Sequence, residues 1–99
     1  MQRPRPEPAT YDVVIPIETN RGRGETRRIG PTCVSFATTA YFTAGDALRF
    51  AMSLRGQSGA LDVFCSGSVR AVAPEGELFV VEATIENTQI RLPEREEQP

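Results

Sequence analysis

The 99-residue sequence has no histidine, no tryptophan and no lysine, and only two cysteines. Without histidine, the commonest general base and metal ligand is missing. Without lysine there is no Schiff-base nucleophile and no phosphate-gripping P-loop lysine. Two cysteines, Cys33 and Cys65, cannot hold a structural zinc, which needs four ligands, and are too few for a disulfide scaffold. No apolar run approaches the roughly 18 residues of a membrane span, and Met1 to Thr10 has no apolar core of the kind a secretory signal carries. Catalysis, a metal centre, a bound cofactor and membrane insertion are therefore not expected. A reducing cytoplasm is the simplest compartment, with both cysteines as buried thiols.

What is present describes one small binding domain. Net charge is −2, so no overall basic field favours a nucleic-acid polymer. All eleven basic residues are arginine. That usage fits either a GC-rich genome or selection for planar hydrogen-bonding forks. Met1 to Ala9 holds three prolines among alternating charges and reads as an extended or disordered arm. Residues 10–92 read as the folded domain and 93–99 as an acidic, solubilising tail.

Within the domain the apolar residues recur with a period of two. Thr10 to Thr19 places Val13, Ile15 and Ile17 on one face, with Pro16 arguing for an edge or a bulge. Asn20 to Gly24 is turn chemistry, and Glu25 to Ile29 resumes an extended polar stretch. Cys33 to Thr39 alternates Val34, Phe36 and Thr38 against Cys33, Ser35 and Ala37. After a turn at Thr43–Asp46, Leu48, Phe50, Met52 and Leu54 line one face. Arg55 to Gly59 is a loop. Leu61, Val63, Cys65, Val69 and Ala71 then point inward, with Gly67 marking a bend. A turn at Pro74–Glu77 leads to Phe79, Val81, Ala83 and Ile85, and Asn87 to Leu92 adds a short segment. No stretch has a helical period. The fold class is all-β, a small antiparallel six-stranded barrel, because closure removes edges that so short a chain has little else to cover.

The stretches Val14–Asn20, Val34–Thr39, Phe42–Phe50, Ser66–Val72 and Leu78–Glu86, in that order, resemble the small bacterial PilZ domains over about residues 10 to 90. The resemblance implies a six-stranded barrel, and, since many PilZ domains bind cyclic di-GMP, a nucleotide ligand. The family binds it with two arginines four residues apart before the first strand. A second motif supplies an Asp or Asn, a Ser two residues on and a Gly three further. Here the arginine pair falls near Pro6 and Thr10, neither an arginine, while Arg3 and Arg5 lie nearby among prolines. The second motif falls on Arg28 to Cys33, with Arg28, Gly30 and Cys33 at its three defining positions.

The barrel is thus expected to persist with an eroded nucleotide site, acting through an unidentified protein partner. The alternative is cyclic di-GMP binding through displaced arginines, for which Arg5, Arg27 and Arg28 are the candidates, by bidentate grip and stacking. For the cluster Arg21, Arg23, Arg27 and Arg28, the plain reading is a solvated hairpin of local ion pairs, and the sharper ones are an anion site or a partner patch. Tyr41, Phe42 and Phe64 read either as an exposed apolar patch or as plugs for the barrel ends.

Overall fold

Alternating side chains put the inward residues of each strand against one core, and the chain closes on itself around them. The computed structural model describes residues 10–56 and 59–91. Its strands are β1 (Pro16–Thr19), β2 (Gly22–Ile29), β3 (Cys33–Thr38), β4 (Ala47–Gly56), β5 (Gly59–Glu75), β6 (Leu78–Thr84) and β7 (Asn87–Arg91). All pairings are antiparallel, in the order β4-β1-β2-β3-β6-β5-β7, and β4 also pairs with β5. The first six strands form a closed ring. The seventh is an addition to the six that were expected: β7 continues the line of β6 and pairs with the first half of β5. Among the described residues no helix is long and apolar enough to cross a membrane.

The core consists of Ile17, Val34, Phe36, Leu48, Phe50, Met52, Val63, Cys65, Val69, Val81, Ala83 and Ile85, joined by Phe42. The two-residue period located all of these except Phe42, which lies between β3 and β4 in no regular element. Phe42 plugs one end of the barrel edge-on to Phe36, with ring centroids 5.9 Å apart. Arg21 covers it from outside, 5.3 Å from the ring centre, and bonds Asp46 and the Tyr41 carbonyl. The Asp46 carboxyl accepts the Thr43 N–H at 2.8 Å, which with Arg21 holds it below its usual pKa.

Several expectations need correction. The first strand is shorter than Thr10–Thr19, because residues 13–15 are held by a side chain instead of a full ladder. Ile15 N–H donates to Thr26 Oγ1 at 2.8 Å, and that hydroxyl donates to the Val13 carbonyl at 2.6 Å. Buried Thr26 so substitutes for main chain on that flank. Gly22 and Gly24 belong to β2, and the turn is only Asn20–Arg21. A Cβ on Gly24 would come within 2.7 Å of the Ala37 carbonyl oxygen, so glycine serves there for close approach. Cys33 is exposed: its own alternation with Val34 and Phe36 turns it outward, and this outweighs the general tendency of free thiols to be buried. Cys65 is buried, as expected, and burial pushes its thiol pKa up. Ala71 is exposed, because the β5–β6 register shifts between Val69 and Ala71 and moves Val72 to the inner side. The arm 1–9, residue 92 and the tail 93–99 lie outside the described residues.

The 17-residue β5 closes the ring by serving two ring partners in turn. Gly59–Ser68 pairs with β4, and Val69–Glu75 pairs with β6. Gly67, at the changeover, is pressed against the Thr84 main chain so closely that a Cβ there would overlap the Thr84 carbonyl. Phe50→Ala should cost about 3–5 kcal/mol of unfolding free energy, from lost transfer energy and the cavity left. Gly67→Ala should cost about 1–3 kcal/mol by overpacking although it adds only a methyl group. Chemical denaturation reads both, and a neutral Gly67→Ala would show that the changeover does not depend on glycine.

Candidate functional site

Two β-bulges face one another across the outer surface of the sheet, and each bulged residue is an arginine. On β2 the register with β3 shifts between Thr26 and Arg28, which leaves Arg27 as the extra residue. On β5 the shift between Val69 and Ala71 leaves Arg70 as the extra residue. A bulge bends its strand and re-aims the side chain it carries. Here Arg27, Arg28 and Arg70 all line one groove of about 510 Å³, with Cys33, Ser35, Val80 and Glu82 on its floor and Asp12 at its rim.

The charge of this groove is close to balanced. Arg27 Nη2 lies 2.6 Å from Glu75 Oε1, and Arg28 Nε lies 3.0 Å from Asp12 Oδ1. The hydrogen bond and charge of Arg27 hold the Glu75 carboxyl below its usual range, and Glu75 in turn raises Arg27. Both pairs are solvent-exposed, so each adds little to stability. What they do is engage one N–H of each guanidinium and offset its charge. Arg70 has no ion pair among the described residues.

Of the sequence candidates, Arg27 and Arg28 therefore meet in one groove, and Arg5 lies outside the described residues. The rest of the arginine cluster disperses. Arg21 braces the Thr43–Asp46 turn, and Arg23 makes a loose pair with Glu18 at 3.6 Å, both partners highly exposed. Arg70 was missed by sequence reasoning, since a strict alternation through Val69 and Ala71 conceals the extra residue. The only signal was Arg70-Ala71-Val72 itself, where two candidate inward positions adjoin. The motif segment Arg28–Cys33 runs from the end of β2 through the link at 30–32 into β3, closed by Gly30 N–H donating to the Cys33 carbonyl at 2.9 Å. Tyr41 and Phe64 are exposed, so of the three aromatics only Phe42 plugs the barrel.

No protein-family model and no curated protein matches the sequence. Among solved structures, the chain is similar to the Bacillus subtilis inhibitor of motility, MotI/DgrA, with a TM-score of 0.70 at 15% identity. The likeness covers 86% of this chain and 44% of that one, so the chain spans under half the length of MotI/DgrA. At this identity the likeness is one of fold, and the fold is the PilZ-like barrel that the sequence resembles.

The Arg27–Glu75 pair gives a pH test. A carboxyl with a lowered native pKa contributes stability above its unfolded value, near 4.5, and loses it as pH falls through the lowered native value. In an NMR titration, Glu75 should titrate below the usual range and return to it in Arg27→Ala. An unchanged Glu75 midpoint would dissolve the pair.

Proposed function

We propose that this chain is a PilZ-like binding module that acts through protein contacts, with its cyclic di-GMP site eroded. The observation that carries the reading is the state of the groove at the motif segment. Arg27 and Arg28 are each held by a carboxylate, at 2.6 and 3.0 Å. A phosphate would have to compete with Glu75 and Asp12 for those guanidinium groups, and Glu82 adds a further negative charge on the floor. Cys33 stands where the family pattern has glycine, and its exposed side chain lines the groove there. Gly30 supplies no hydroxyl for a base edge.

One observation favours the second reading, a cyclic di-GMP effector working through displaced arginines. The adjacent Arg27 and Arg28 share one groove with Arg70, 42 residues further along the chain. Three flat cations over an open floor could meet two phosphates and a purine face, with Arg5 as a fourth from the arm.

Calorimetric titration with cyclic di-GMP separates the two. Under the first reading the titration is flat into the hundreds of micromolar. A dissociation constant below ~10 μM, about −7 kcal/mol, would overturn it. Any residual affinity should then fall in Arg28→Ala and Arg70→Ala and drop with added salt. Loss in Arg5→Ala would implicate the arm as well.

A further inference from the structure

The weakest join in the ring is between β1 and β4, which pair only through Glu18 with Ala51 and Thr19 with Phe50. Just beyond, Asn20 N–H donates to the Arg49 carbonyl at 3.0 Å, and the Asn20 side-chain oxygen accepts the Arg49 N–H at 3.0 Å. Ladder bonds toward one neighbour recur every second residue, so Arg49, Ala51, Ser53 and Arg55 present their main-chain groups to the β1 side. Continuing the register sets Pro16 opposite Ser53. Proline has no N–H to give the Ser53 carbonyl, and the ladder stops there. From Ser53 to Gly56, β4 runs on with β5 on one side and, among the described residues, no strand on the other.

The two strands part over a cleft of about 810 Å³. Its floor reaches the buried Ile17 and Met52, and the half-buried Leu54 and Leu61, paired across β4 and β5, give the unpaired edge an apolar inner side. Its polar rim carries three carboxylates, Glu18, Glu25 and Asp62, against the single guanidinium of Arg23, itself loosely paired with Glu18. Asp62 is oriented by a 2.8 Å hydrogen bond from Ser53 Oγ, and so stands beside the unpaired edge.

We propose that this cleft takes an extended segment of a partner protein, with basic and apolar side chains alternating, as an added strand on the free edge of β4. The proposal rests on the reading of the chain as a protein-contact module and names the surface and the partner chemistry. An added strand lies antiparallel to β4, in the line that Pro16 interrupts. It exchanges main-chain bonds with Ser53 and Arg55 and so supplies the donor that Pro16 lacks. The two-residue period of a strand sends alternate side chains to opposite faces. Apolar ones then turn inward toward the half-buried Leu54 and Leu61, and basic ones outward toward Glu25 and Asp62. A second copy of this chain is the less favoured occupant: two β4 edges meeting about a two-fold axis would bring like-charged Asp62 rims together.

The test is a titration of the isotopically labelled full chain with a blocked six-residue peptide of alternating arginine and valine, read by amide shifts. Saturable shifts are expected at Ala51–Arg55, Ile17 and Glu18, with a dissociation constant below about 1 mM. The affinity should weaken at least about threefold between about 50 and about 300 mM salt. Replacing arginine by glutamate in the peptide, or N-methylating every second residue to remove its strand donors, should abolish the shifts. The double variant Glu18→Arg, Glu25→Arg, at exposed positions that the core does not use, should weaken binding about tenfold. Shifts confined to the Arg27–Arg28–Arg70 groove, equal binding of the N-methylated peptide, no binding of any peptide, or a dimer of the free chain that the peptide leaves intact would each overturn the proposal. The nucleotide titration keeps the two readings apart. Tight cyclic di-GMP binding removes the eroded-site reading whatever the peptide does, whereas silence toward both ligands removes only the cleft.

Discussion

The barrel depends on a single long strand being shared between two neighbours. Ring closure requires β5 to leave β4 and take up β6 without a break in the chain, and at that point the Thr84 main chain passes directly over Gly67. Any side chain there would force the two apart. Closure in turn fixes what remains open. With six strands committed to the ring, β7 lies outside it on β5, and the residual mismatch is taken up where β1 meets β4. Twist and bulges take up the rest, and the two bulges on the outer face carry Arg27 and Arg70.

Most of the fold was legible in the sequence because the period of two survives in every strand whose inner face is fully buried. Phe36, Leu48, Phe50, Met52, Val81 and Ala83 obey it without exception. Legibility fails where one residue breaks the count. Ala71 reads as inward until the extra residue at Arg70 is known, and a bulge leaves no local composition signal. Phe42 belongs to no period, since its burial comes from the barrel end it plugs and from the Arg21 stacked over it. Cys33 was misjudged by setting the habit of a residue type above the alternation of its own strand. The site was half legible: Arg27 and Arg28 could be nominated from the motif segment, but the carboxylates that engage them come from Asp12 and Glu75, 16 residues before Arg28 and 48 after Arg27. Only folding brings such partners together.

The groove and the cleft make opposite use of charge. In the groove, arginines gather and acids from other elements cancel them, so the surface is rich in hydrogen-bonding forks yet has little net field. In the cleft, acids gather on the rim and the one arginine among them is spread into solvent beside Glu18. A nearly neutral protein can thus carry local surfaces of distinct preference, which net charge at the level of the whole sequence conceals.

The short join between β1 and β4 also sets an order in time. Hairpins β1–β2, β2–β3, β4–β5 and β5–β6 connect neighbours in sequence and can form early at small entropic cost, whereas Glu18–Ala51 and Thr19–Phe50 close a loop of some thirty residues for two residue pairs and the Asn20–Arg49 bonds. That join is expected to form last and, by the same balance, to part first. Momentary separation there leaves the Phe36–Val81 and Leu48–Gly67 pairings standing, so the barrel can breathe as an open, curled sheet long before it unfolds. Amide protons of Glu18 and Ala51 are then expected to exchange through this local motion, on a clock separate from that of the core.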